Sequence, residues 1–365
     1  MGSVIESYFA DNYKDARQKF LRVCADKQID VQTYTNNVNG ADDNELATDV
    51  IRIGSMDADK LLVLTSGVHG AELMCGSGCQ VGMLKQDKFS SLAADTAIVM
   101  IHALNPWGAA NLRRNNEDNV DLCRNFVDFR KNLPNNDAYA EIHGALCCAE
   151  REGSTRDAAD KVLANFRQTK GVGGFVGAIM SGQFEFKEGM SFGGGAPTWS
   201  HLTLMEILQT HGNRAKNICL VDYHSGLGPY GYGALVCMHE GESLKRARSW
   251  FGHWLMAPMD NLEQSDEKLH PAIGHSTEGQ LRALPEAEVT SAVIEYGTYD
   301  MADNLRALLD DHWLHFHGDE KSELGKKIKK HMRDTHYPDD PEWRSAVWSR
   351  SEQVVRQAIR GLTHD

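Results

Sequence analysis

Short apolar, β-branched runs alternate along this chain with longer stretches of helical periodicity. The clearest runs cover residues 61–65, 97–103, 218–222, 234–238 and 289–294. Several are apolar at nearly every position, the pattern of a strand covered on both faces. Residues 73–85, 137–148, 158–170 and 198–211 read as helices between them. The alternation predicts an α/β fold: a mixed, mostly parallel central sheet with helices on both faces. Near the end of the chain, Val347, Val354, Ala358 and Leu362 fall at the spacing of a docked amphipathic helix. Residues 1–17 read as a helix of mixed polarity.

The length of 365 residues fits one large α/β domain or two smaller ones. A net charge of −13 argues against non-specific nucleic-acid binding. The one basic run, Lys326-Lys-Ile-Lys-Lys330, suits the solvated face of a helix. No segment approaches the ~18 to 20 apolar residues that span a bilayer, so no membrane partner is expected. The first residues lack the regions of a secretory signal, which makes a cytoplasmic location the expectation. Eight cysteines without a C-x-x-C pair suit reduced thiols. Cys75 and Cys79, one helical turn apart, are expected to pack in the core. The Gly-rich pieces 171–177 and 189–195 match neither a dinucleotide nor a phosphate loop. The second is the better candidate for a loop that touches substrate. Three histidines in Asp311-His-Trp-Leu-His-Phe-His317 suit the end of a helix more than a metal.

The strand ends carry the candidate chemistry. His69-Gly-Ala-Glu72 follows the first clear strand, and an imidazole and a carboxylate three residues apart can turn toward one point. With one more His they would supply the three protein ligands of a catalytic Zn²⁺. The best third ligand is His224, at the end of the strand that carries Asp222. Ligands of open α/β sheets gather beyond such ends. Asn105-Pro-Trp-Gly108 ends another strand and leads to Arg113, Arg114 and Arg124. Their guanidinium forks suit a substrate carboxylate or a developing oxyanion. The alternative is pairing with Glu117, Asp118 and Asp121. Glu295, directly after the last strand, is costly to place there unless solvated or used. Beside a metal-activated water it would serve as general base.

Together, His69-x-x-Glu72, Asn105-Pro-x-Gly, Arg114, Asp121-x-x-Arg124-Asn-Phe, His224 and Glu295-Tyr-Gly resemble the zinc carboxypeptidases of the carboxypeptidase A superfamily. Gly193-Gly-Gly-Ala-Pro-Thr-Trp-Ser200, Tyr223-His-Ser-Gly-Leu-Gly-Pro-Tyr-Gly231, Ser276-Thr-Glu-Gly-Gln280 and the stretch from Met332 to Tyr337-Pro carry a closer likeness to its bacterial branch of unknown function. The resemblance spans nearly the whole chain, which implies a single catalytic domain over 1–365 with a sheet of about eight strands. It implies one Zn²⁺ per chain on His69, Glu72 and His224, with Glu295 as catalytic base. Arg114 or Arg113 would polarise the scissile carbonyl, and Arg124 would bind a terminal carboxylate. One position departs from the family: Cys123 stands where an Asn precedes that Arg, and a thiol is a weaker donor than an amide. The implied activity is that of a metallocarboxypeptidase on small peptides. A deacylase of N-acyl amino acids and a non-catalytic binding protein on the same fold are the alternatives. The oligomeric state is not legible.

Overall fold

The computed structural model describes residues 2–38, 45–259 and 273–364. Among them seven strands form one sheet, against the eight or so that the resemblance implied. They are β1 (Val31–Asn36), β2 (Leu46–Ile53), β3 (Lys60–Ser66), β4 (Thr96–His102), β5 (Asn217–Gly226), β6 (Gly233–Val236) and β7 (Glu288–Gly297), in the spatial order β1-β2-β4-β3-β5-β7-β6. The central strands β4, β3, β5 and β7 run parallel, while β1, β2 and β6 pair antiparallel at the two sides.

Each central strand divides its side chains between two cores, as the two-residue period of a strand requires. Leu62 and Leu64 of β3, with Ile98 and Met100 of β4, join the core beneath the helices Tyr13–Asp26, Leu73–Lys85 and Pro341–His364. Leu61 and Val63, with Ala97, Val99 and Ile101, face the helix Trp199–Gly212 through Leu204, Ile207 and Leu208. The sheet is thus covered on both faces, as its unbroken apolar runs predicted. Cys75 and Cys79 are buried in the first core, also as expected.

The helix expected over 1–17 is two helices, Gly2–Glu6 and Tyr13–Asp26. The break has a local cause: Asn12 is extended and its side chain accepts the Asp15 N–H at 3.0 Å, starting a new helix. A third layer comes from the helices Asp137–Leu146 and Ser154–Met180, which pack on each other around Tyr139, Leu163 and Phe166. The longer one bends at Gly171, whose φ of +72° a residue with a Cβ rarely adopts. No helix among the described residues is long and apolar enough to cross a membrane.

Candidate metal centre

The parallel strands β3, β5 and β7 end at one rim, and their ends bring the candidate ligands together. The chain leaves β3 into one 3-10 turn, Gly70–Glu72, with His69 just before it. That turn presses on the backbone of the short helix Pro106–Ala110. A Cβ on Gly70 would lie 2.0 Å from the Gly108 carbonyl carbon, so only glycine fits there. The turn is also tied to the arginine loop, because Gly70 N–H donates to Arg114 O (3.3 Å) and Ala71 N–H to Arg113 O (2.9 Å). Asn105 braces the same loop. Its side chain accepts from Gly108 N–H at 2.9 Å and donates to Arg114 O at 3.3 Å. The Asn-Pro element is therefore a scaffold for the His69 turn.

His69 Nδ1 lies 2.9 Å from Glu72 Oε1, His224 Nδ1 lies 3.0 Å from Glu72 Oε2, and the two Nδ1 atoms are 3.2 Å apart. All three side chains are buried. Each imidazole turns its other nitrogen to a separate carboxylate. His69 Nε2 is 3.1 Å from Asp121 Oδ1, and His224 Nε2 is 3.2 Å from Asp222 Oδ2. Asp121 Oδ2 accepts from Arg114 Nε at 3.1 Å, and Asp222 Oδ2 accepts from Ser276 Oγ at 3.1 Å. A hydrogen-bonded outer carboxylate, as Asp121 is to His69, fixes ring orientation and leaves the inner nitrogen as a ligand, and Asp222 stands at ion-pair distance from His224 for the same role.

The electrostatics of the centre point the same way. Burial resists charge on His224, but Asp222 and Glu72 outweigh it and push its pKa well above the usual value. Burial and Arg114 likewise resist charge on His69, yet Glu72, Cys123 and Asp121 raise it to about 10. Burial alone would raise the Glu72 carboxyl; the two imidazoles hold it well below the carboxylate range. Both shifts favour protonated imidazoles, which sets two inward nitrogens 3.2 Å apart against each other beside one carboxylate. A divalent cation would replace both protons with one ion. The donor spacings of 2.9 to 3.2 Å also fit. Tetrahedral Zn²⁺ with bonds of about 2.0 to 2.1 Å has ligand edges of about 3.3 Å.

Glu295 sits opposite His224 in the parallel register of β5 and β7. Its Oε1 accepts from Leu227 N–H at 3.0 Å. Burial, and then the Glu72 charge, raise its pKa to about 7. Arg114 Nη1 reaches Glu72 Oε1 at 3.4 Å. Arg124 packs beside Gly182 and donates from Nε to Met180 O at 2.8 Å and from Nη1 to Cys123 O at 2.5 Å. Among the described residues no carboxylate comes within ion-pair distance of Arg124. Cys123 follows Asp121, which caps the short helix Leu122–Asn125 by accepting from Cys123 N–H at 3.0 Å.

His69, Glu72, His224, Glu295, Arg114, Cys123 and Arg124 all line one cavity of about 380 Å³. Arg113 does not. Its buried guanidinium pairs with Asp311 Oδ2 at 3.1 Å and donates to Asn119 Oδ1 at 3.3 Å, away from the cavity. The far walls are apolar, built from Ile179, Leu305 and Leu308 and the methionines Met180, Met238, Met259 and Met301. The Gly-rich piece 171–177 supplies Val176 and Gly177 to that wall. The piece 189–195 instead buttresses Asn125, which donates to Gly193 O at 2.8 Å.

Sequence reasoning missed two cavity residues. His275 precedes the helix Ser276–Ala283 and accepts from Thr277 N–H. His336 ends the helix Glu323–His336 with Nδ1 2.9 Å from Met332 O. Both adjoin or lie in stretches that carried the closer family likeness, and that was the available signal. The histidines of 311–317 do not form a metal group. His312 Nε2 lies 2.6 Å from Glu188 O, and His315 packs on Trp107. Beside the His69, Glu72 and His224 set, Cys123 also lies close to both imidazoles, so that His69, Cys123 and His224 form a buried cluster compact enough for a metal.

A family model described as a protein of unknown function, DUF2817, matches residues 9–350. No protein of curated function is similar in sequence. Among solved structures, the chain is similar to a metallo-carboxypeptidase from Pseudomonas aeruginosa. The identity is 14% over 94% of this chain and 71% of that one, with a TM-score of 0.41. Thrombin activatable fibrinolysis inhibitor is similar at 10% identity over 95% and 74%, with a TM-score of 0.40.

Proposed function

The chain belongs to the DUF2817 family, proteins of unknown function, and from the geometry of its centre we propose that it is a zinc-dependent hydrolase that cleaves an amide bond next to a free carboxylate. The observation that carries this reading is the convergence of His69 Nδ1, His224 Nδ1 and Glu72 within 3.2 Å, each imidazole backed by its own carboxylate. His69, Glu72 and His224 would hold the metal. When bound, it supplies a Lewis acid that polarises a carbonyl and makes water acidic enough to react near neutral pH.

The chain's own residues divide the remaining work. Leu227 N–H holds Glu295 Oε1, so Oε2 is left to take a proton from the attacking water and return it to the leaving amine. Burial and the Glu72 charge raise this carboxyl, which favours its taking the proton, and a cation on the three ligands would lower it again for the return step. Arg114 is oriented by Asp121 and Glu72 at the edge of the centre, where its charge favours an oxyanion. Arg124 has spent Nε and one N–H of each terminal nitrogen on backbone carbonyls. Two N–H groups remain for a substrate carboxylate. The apolar wall of Ile179, Leu305 and Leu308 favours a second substrate class, N-acyl amino acids, whose acyl chain would lie against it.

The test is a mass-spectrometric hydrolysis screen of zinc-loaded protein, with Glu295→Gln as control. Its panel holds peptides with free and amidated C-termini and a set of N-acyl amino acids. Release of C-terminal residues from free-acid peptides alone supports a carboxypeptidase. Cleavage of N-acyl amino acids alone supports a deacylase. Turnover by Glu295→Gln equal to that of the wild type would remove the proposed base.

A further inference from the structure

Resting on the metal reading above, we infer that Cys123 is a fourth protein ligand of the same ion, so that the resting centre is a His₂GluCys site. Cys123 Sγ and one ring nitrogen each of His69 and His224 lie within 4.8 Å of one another, and all three side chains are buried. A tetrahedral metal with bonds of about 2.3 Å to sulfur and 2.0 to 2.1 Å to nitrogen has an S···N edge of about 3.5 Å. A shift of about 1 Å or less per side chain closes the site.

The backbone of Cys123 is tied to the first ligand. Asp121 Oδ1 accepts both from Cys123 N–H (3.0 Å) and from His69 Nε2 (3.1 Å), so one oxygen fixes the cysteine's backbone and the first ligand together. The other seven cysteines have no such place. Cys75, the nearest in sequence to His69, donates to Glu72 O at 3.1 Å and is buried in the core. Cys123 is a free thiol at the cavity, on the side of the centre that also carries Arg124.

On binding, the Cys123 S–H bond breaks, its proton leaves to solvent and an S–metal bond forms. With four protein donors a tetrahedral ion has no open position. Water or substrate would then have to displace the thiolate or raise the coordination number to five. Cys123 is thereby a brake on the centre as well as part of it.

The experiment loads wild type and Cys123→Ser with Co²⁺ and records metal content per chain and the near-ultraviolet spectrum. One cobalt in each, with a thiolate-to-cobalt charge-transfer band in the wild type that Cys123→Ser lacks, is the expected result. One cobalt per chain with no such band in the wild type overturns the inference and leaves the metal reading standing. No cobalt in the wild type overturns both. Should Cys123→Ser fail to fold, zinc-edge X-ray absorption on the wild type alone decides. One sulfur at about 2.3 Å is expected, and a shell of nitrogen and oxygen only refutes it.

Discussion

Replacing Asp222 by Asn tests whether the outer carboxylates tune the centre. Asp222 is buried, lies 3.2 Å from His224 Nε2 and accepts from Ser276 Oγ at 3.1 Å. Asn keeps the shape and an accepting oxygen but removes the charge that makes His224 a stronger donor. Loss of such an outer partner weakens metal affinity about 10- to 100-fold, or about 1.4 to 2.7 kcal/mol. The consequence for melting can be worked through. At free zinc about 100-fold above the wild-type Kd, binding stabilises by about 2.7 kcal/mol. For 365 residues the unfolding entropy is about 0.8 kcal/mol per degree, so zinc raises the wild-type Tm by about 3.5 °C. At the same zinc concentration the variant keeps about 0.4 to 1.4 kcal/mol, a rise of about 0.5 to 2 °C. Calorimetry with and without zinc isolates this difference from any change in the metal-free protein. Chelator competition gives the affinity directly. A folded Asp222→Asn variant with the full zinc-dependent rise would refute the role given to Asp222.

Activity should fall as pH drops through an acid limb at or below about 7. Glu295 must be unprotonated to act; burial and Glu72 raise it, and a bound cation pulls it back down. A pH profile of kcat/KM checks this, and a limb that persists unchanged in Glu295→Asp and in any residual Glu295→Gln activity belongs to another group. Arg113→Ala should act on stability, because it strips a buried ion pair from Asp311 while Lys329 still holds that carboxylate at 2.8 Å. The expected loss is about 3 kcal/mol, at the low end for a broken buried pair, read from the urea midpoint. Gly70→Ala should lower bound zinc from one per chain to near none, since a Cβ 2.2 Å from Ala109 N must displace the His69 turn. Metal analysis of the folded variant reads the outcome.

The central strands were legible because β3, β4, β5 and β7 are apolar at successive positions. The hairpin of β1 and β2 was not. Gln32 and Thr33 are exposed on β1, and Asp49 interrupts the apolar run of β2. That buried carboxylate is tolerated because Arg17 and Thr33 both reach it at 2.7 Å, and neither partner is visible from a local pattern. His69, Glu72 and His224 were legible because strand ends of a parallel sheet share a rim. Asp222 had a signal that went unused: two residues before His224 in one strand, it lies on the same face. Arg113 and Arg114 are chemically identical neighbours. Which one turns inward follows from Asp121 in the same loop, which holds Arg114, and from Asp311 in a remote helix, which takes Arg113. His336 depends on how a C-terminal helix docks, which no periodicity encodes.

Four methionines in the cavity wall give it a property that branched side chains would not. A thioether on an unbranched stem re-shapes at little cost, so the wall can close around groups of different outline. Selectivity would then rest on the charged end near Arg124, while the apolar end accepts variety. The same sulfurs make the lining sensitive to oxidants. Conversion of Met180 or Met301 to the sulfoxide turns an oily surface into a polar one without touching a ligand, and methionine sulfoxide reductases can reverse it. Under oxidative stress such a cavity would change its preferred guests.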